Sequence, residues 1–135
     1  MASRFTNRYQ SFCSSLESLT KAKERDPEDE FVLSGTVQKF NLTFDISWKV
    51  MKDVIVKYHK IQNFAVGSPR ETLRTAYSVQ LIENDMWMKM LETRNELTHD
   101  YDGELAAESF SIIINDYIPL FEKLKEKVQV YVNEI

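Results

Sequence analysis

Arg94-Asn95-Glu96-Leu97-Thr98-His99-Asp100-Tyr101 brings a permanent cation, a carboxamide, an imidazole and a phenol together within eight residues. Such a set suits a phosphate. The planar fork of an arginine holds a phosphodiester, and a histidine removes or supplies a proton near neutral pH. Those two groups suffice for metal-free cleavage of RNA by its own 2′-hydroxyl. On a regular helix Arg94 and His99, five residues apart, would point roughly 140° away from each other. They converge only if the helix bends or ends between them, or if two copies of the chain meet. Asn95 and His99, four apart, share a face. The same spacing also fits a purely structural network, with Arg94 paired to Asp100 or Glu96 and His99 capping the end of a helix.

Other reactive residues are isolated. His59, the second of two histidines, lies between Lys57 and Lys60 at an expected helix end, where a cationic or hydrogen-bonding group suits the last carbonyls. Neither histidine sits among carboxylates at metal-ligand spacing, so no metal and no cofactor is expected. Cys13 is the single cysteine and reads as a half-buried thiol beside Phe12. One cysteine forms neither an internal disulfide nor a metal cluster, which points to a reducing cytoplasm.

The elements that must position this segment read as helices. Three Gly and three Pro in 135 residues give too little punctuation for strands joined by tight turns. Phe5, Tyr9, Phe12, Leu16 and Leu19 mark one stripe of a first helix over about 4–25, with Ser3 as its cap. Asp26-Pro27-Glu28-Asp29 is a start signal for a second helix running to Tyr58, about 48 Å if unbroken. Its stripe is Val37, Phe40, Phe44, Trp48, Met51, Ile55 and Tyr58, and Gly35 marks a bend or a close helix approach. A loop over 59–67 leads to Ser68-Pro69-Arg70-Glu71, a capping box opening a short helix to about Ile82 that buries Leu73, Ala76, Tyr77 and Leu81. Asn84 caps a fourth helix with Met86, Trp87, Met90, Leu91 and Leu97. A last helix carries Ala106, Phe110, Ile113, Tyr117, Leu120, Leu124, Val128 and Tyr131, with a kink at Pro119.

These stripes predict an all-α protein: an up-and-down four-helix bundle with an additional short helix, forming a single domain over 1–135. The size suits one continuous core, and 43% hydrophobic with 28% charged residues is ordinary globular composition. Ile46, Val50 and Val54 stand off the main stripe of the second helix, which predicts spare apolar surface and a homodimer. A formal charge of −4 argues against a broad basic surface for nucleic acid, while leaving room for a local phosphate site. No signal-peptide core and no run of roughly 20 apolar residues is present, so no membrane association is expected.

Arg94-x4-His99-x-Tyr101 resembles the Arg-x4-His-x-Tyr motif of HEPN-domain proteins, specifically the HepT-like partners of small nucleotidyltransferases, also described as nucleotidyltransferase substrate-binding proteins. The similarity extends from about Phe5 to Leu124. Phe40-Asn41-Leu42-Thr43-Phe44-Asp45-Ile46-Ser47-Trp48-Lys49 is similar to that family's aromatic-rich helix, Ser68-Pro69-Arg70-Glu71 to its capped third helix, and Trp87-x-x-Met90-Leu91 to its approach to the motif. The resemblance implies a homodimeric helical bundle paired with a small nucleotidyltransferase encoded nearby, in a toxin–antitoxin-type two-component system. It further implies that Arg94 binds phosphate, His99 is general acid or base, Asn95 orients His99 or the substrate, and Tyr101 accepts AMP. Members often carry glutamate where this chain has Asn41 and Asp45, which weighs against a carboxylate of the second helix acting at the site.

Two functions follow from the same residues. In one the chain is the partner or substrate-binding subunit of the nucleotidyltransferase, presenting Tyr101 to it. In the other it is a metal-independent ribonuclease toxin acting on RNA through Arg94 and His99 and silenced by the nucleotidyltransferase. The chain is not itself expected to be that transferase, which needs a Gly-Ser turn feeding a nearby Asp-x-Asp pair on a strand to hold Mg²⁺. Here Gly67-Ser68 opens a helix, and Asp100-Tyr101-Asp102 lies more than thirty residues later.

Overall fold

The computed structural model describes residues 3–61, 67–100 and 103–133, and every regular element among them is helical. In chain order these are α1 (Arg4–Thr20), which tightens into a 3₁₀ turn over Lys21–Glu24, α2 (Glu30–Tyr58), α3 (Pro69–Ser78), α4 (Met86–Leu97), α5 (Glu104–Ile112) and α6 (Ile118–Asn133). The expected four main helices and one short extra are present, because α5 and α6 run on as one rod through a wide turn at Ile113–Tyr117. No described helix is long and apolar enough to cross a membrane.

Local start signals act largely as their chemistry requires. Ser3 accepts the Thr6 N–H at 3.1 Å, and Ser68 accepts the Glu71 N–H at 3.2 Å with Pro69 opening α3 behind it. The start of α2 differs from expectation. Asp26 folds its carboxylate onto the Glu28 N–H at 2.9 Å, which holds Pro27 in a turn, and Asp29 becomes the cap by accepting from Phe31 and Val32. The helix therefore begins at Glu30 and spans about 43 Å at 1.5 Å per residue. Gly35 marks no close approach, since a Cβ added there would meet nothing within 4 Å. The third helix ends at Ser78, short of Ile82: Gln80 turns left-handed at φ 63°, and the Leu81 and Ile82 N–H groups both return to the Ala76 carbonyl.

The wide turn also corrects the last stripe. Pro119 has no N–H to offer the carbonyl four residues back, and its ring crowds that carbonyl in a regular helix. The preceding turn opens instead, with the Ile118 N–H bonding the Ile113 carbonyl five residues back. The extra residue in that turn shifts the buried positions next to it, so Ile118 and Phe121 are fully buried and Leu120 only half-buried, while Tyr117, Leu124 and Val128 of the expected stripe are buried. Phe110, before the turn, is half-buried.

α2 packs against α1, α3, α4, α5 and α6, which makes it the centre of the molecule. Around it, Phe40 stacks on Tyr117 with ring centroids 5.5 Å apart, and Phe121 meets Phe12 and Trp87 edge-on at 6.2 and 5.6 Å. Each fully buried ring of this kind contributes about 1.5–3 kcal/mol of transfer free energy. All five stripe residues of α1 are buried. Two expectations about surface fail here. Val50 and Val54 are fully buried within the chain, because the faces of α2 that carry them pack against neighbouring helices. Tyr77, expected inside, is 52% exposed near the end of short α3.

Candidate functional site

α4 ends where the Arg94–His99 segment needs it to end. Thr98 returns both its N–H and its hydroxyl to the Arg94 carbonyl, at 3.2 and 2.9 Å. The His99 and Asp100 N–H groups then bond the Glu96 and Leu97 carbonyls, closing the last turn and leaving His99 exposed beyond it. The regular helix is thus interrupted between Arg94 and His99, one of the conditions for the two to serve a common ligand. Asp100 turns to the next element, its Oδ2 accepting the Ala106 N–H at 2.9 Å to cap α5. Gly103 sits at φ 76°, the left-handed backbone that a side chain disfavours. Tyr101 lies outside the described residues.

Arg94 is half-buried and held from two sides. Its Nη2 donates to Asp45 Oδ1 on α2 at 2.5 Å, and its Nη1 donates to the Asn95 side-chain oxygen at 3.1 Å. The ion partner is therefore neither Asp100 nor Glu96. With 26% and 35% of the two side chains exposed, solvent screens the pair, and about 1 kcal/mol is the most it contributes. A guanidinium carries five donors, and two of them are engaged among the described residues. Asn95, expected to serve His99 or the substrate, here steadies Arg94. Among the described residues the His99 ring makes no hydrogen bond, and the residue is exposed.

A second contact fixes the height of α4. The Thr93 hydroxyl donates to the Lys89 carbonyl at 3.0 Å, so the Tyr117 phenol, 2.8 Å away, must be the donor in their shared bond. Burial pushes the Tyr117 phenol above its ordinary pKa and keeps it protonated for that task. The wide turn at Ile113–Tyr117 thereby reaches the residue immediately before Arg94.

One turn before Asp45 on α2, Asn41 has its side-chain oxygen shielded from water without any hydrogen-bond donor. Leaving such an acceptor unpaired costs about 1–3 kcal/mol. Asn41 also lines an open cavity of about 540 Å³ between the first turns of α2 and the α4–α5 junction, together with Phe31, Leu33, Val37, Leu97, Asp100 and Ala106. The sequence pointed to Asn41 and Asp45 only as departures from the family's usual glutamates and weighed against a carboxylate of the second helix acting here. The structure corrects this, since packing of α4 on α2 brings the Asp45 carboxylate onto Arg94. Nothing in the sequence pointed to the cavity.

The other histidine sits at the helix end where it was expected, and its ring meets an aromatic neighbour. His59 follows the last residue of α2 and lies edge-on to the Tyr131 ring, with centroids 6.1 Å apart.

Residues 5–130 match the family model described as nucleotidyltransferase substrate binding protein like. The backbone is similar to a crystal structure of a protein from Thermus thermophilus, with a TM-score of 0.77 and 21% identity over 87% of this chain and 98% of that one. It is also similar to HI0074 from Haemophilus influenzae, with a TM-score of 0.60 and 19% identity over 93% of this chain and 96% of the other. The HI0074 structure is described as revealing the fold of a substrate binding domain of a nucleotidyltransferase. At these identities the likeness is one of fold. No curated protein matches the chain.

Proposed function

Because the chain belongs to the family of nucleotidyltransferase substrate binding protein-like proteins, we propose that it is the partner subunit of a small nucleotidyltransferase in a toxin–antitoxin-type pair, with Tyr101 as the acceptor of AMP. The observation that carries this reading is the family match over nearly the whole chain. In the transfer, the Tyr101 oxygen attacks the α-phosphorus of ATP, pyrophosphate leaves, and the phenolic proton passes to solvent or a base of the transferase. Arg94, seven residues earlier in sequence, is the group of this chain suited to steady the phosphate.

The working unit is a homodimer. Leu42 is 55% exposed on α2, and with half-buried Ile46 it borders a groove whose other walls are Asn7, Gln10, Ser11, Ser14 and Ser15 of α1. Every side chain lining that groove is uncharged, and depletion of charge is what distinguishes the core of a protein interface.

A second reading uses the same residues. His99 stands exposed just beyond the end of the helix that carries Arg94, which favours a metal-independent ribonuclease in which Arg94 holds the scissile phosphate and His99 moves the proton. Asn95 acts there by fixing Arg94.

Incubation with the cognate transferase and ATP tests the first reading: one added adenylate is expected by mass spectrometry, lost in Tyr101→Phe. An unmodified protein in a stable complex would remove the acceptor role. Cleavage of RNA by the unmodified dimer without metal, abolished in His99→Ala and in Arg94→Ala, would establish the nuclease, and intact RNA would exclude it.

A further inference from the structure

We propose that the cavity between the start of α2 and the α4–α5 junction is a base pocket that takes the adenine of a 5′-nucleotide whose phosphate is held by Arg94. The proposal rests on the reading that this chain handles a nucleotide, and it adds where the nucleotide sits and which base is selected.

Four observations carry it. The cavity, at about 540 Å³, falls within the roughly 300–1,000 Å³ of small-molecule sites. Phe31 stands on its wall with 80% of its surface exposed, a ring face available for stacking, while Val37 and Leu97 supply flat apolar surface. Asn41 lines the same cavity while its side-chain oxygen is turned into the packing with no donor. Rotation about the side-chain bonds brings that oxygen to the cavity, where a ligand amine supplies what the protein does not. An asparagine amide offers one acceptor beside one donor, the complement of the adenine N6 amine and its neighbouring ring nitrogen.

The charge distribution orients the ligand. Glu30 and Asp100 also line the cavity, so a phosphate is repelled from it. Asp45, one turn or about 6 Å further along α2 from Asn41, carries Arg94. A 5′-nucleotide lying along α2 therefore places its base at Asn41 and its phosphate at Arg94.

Calorimetric titration of the purified full chain with AMP, IMP, adenosine and inorganic phosphate tests this. IMP has the same shape as AMP but carries an oxygen in place of the N6 amine. AMP is expected to bind about tenfold or more tightly than IMP. Asn41→Ala should abolish that preference, and Arg94→Ala should lower AMP to the affinity of adenosine. Phe31→Ala, at an exposed position that leaves the fold intact, should weaken AMP and adenosine alike without touching phosphate. Equal affinity for AMP and IMP, or no binding of either by a protein that still forms its complex with a nucleotidyltransferase, would overturn the base pocket and leave the partner role standing.

Discussion

Asp45 lies 49 residues before Arg94 in the chain, yet its carboxylate takes one of the guanidinium's donors and part of its charge. A phosphate entering the site must share Arg94 with that carboxylate. Asp45→Asn should therefore tighten phosphate or short RNA binding at low salt by up to about fivefold, the equivalent of about 1 kcal/mol, while unfolding free energy falls by no more than that. Weaker binding in a titration would mean that Asp45 aims Arg94 instead of restraining it. Arg94, Asn95 and His99 were legible because they are close in sequence and their chemistry is distinctive. Asp45 stood out only as a departure from the family's usual glutamate, and its pairing with Arg94 was not legible, because only packing of α4 against α2 brings it within reach.

A second carboxylate gives a dependence on pH. Asp53 accepts from Arg8 at 2.8 Å, while its other oxygen is buried without a donor. Burial raises its pKa above the ordinary carboxylate value, outweighing the pull of Arg8. Folding thus disfavours its ionised form, and its contribution to stability is full below the unfolded-state pKa and lost as pH rises through the folded one. In urea unfolding across the carboxylate titration range, wild type should gain on Asp53→Asn as the pH falls, since the amide does not titrate. A difference independent of pH would contradict the burial effect.

Among the elements, α2 and the α5–α6 rod separate what periodicity determines from what it does not. The buried stripe of α1 and the capped start of α3 follow from local spacing alone. Beyond Ile113 spacing still finds Tyr117, Leu124 and Val128, all buried, but it takes Leu120 in place of Phe121 and misses Ile118, because the wide turn adds a residue that a count at three and four cannot anticipate. Pro119 announced a disturbance there without saying whether the helix would kink or widen. Gly35 is the simpler case. It lies inside α2 with open space around its missing Cβ, so it answers no steric demand. Gly35→Ala should stabilise the protein by up to about 1 kcal/mol, the propensity difference between the two residues, read from the urea midpoint. Destabilisation would show that α2 needs the glycine to bend.

For the whole molecule, burial of Val50 and Val54 moves the case for self-association to Leu42 and its uncharged surroundings. Leu42→Glu should convert a dimer to monomers in analytical ultracentrifugation, with little change in thermal stability of the monomer, because the side chain is already more than half exposed. An unaltered sedimentation coefficient would place the interface elsewhere. The sequence pattern made the number of helices readable, but it could not reveal which one lies in the middle, since that depends on how the others close around it.

The central place of α2 has a consequence for how the protein breathes. Asp45 and Asn41 ride on the one helix that touches all the others, so neither can shift far without loosening the entire core. Backbone amides in the middle of α2 should exchange with deuterium only through global unfolding, on the slowest clock in the molecule. Amides just past the end of α4, near His99, should exchange through local fraying. A ligand bound between them would draw the fast clock toward the slow one, leaving a footprint of binding in exchange rates even where no bond to the backbone is made.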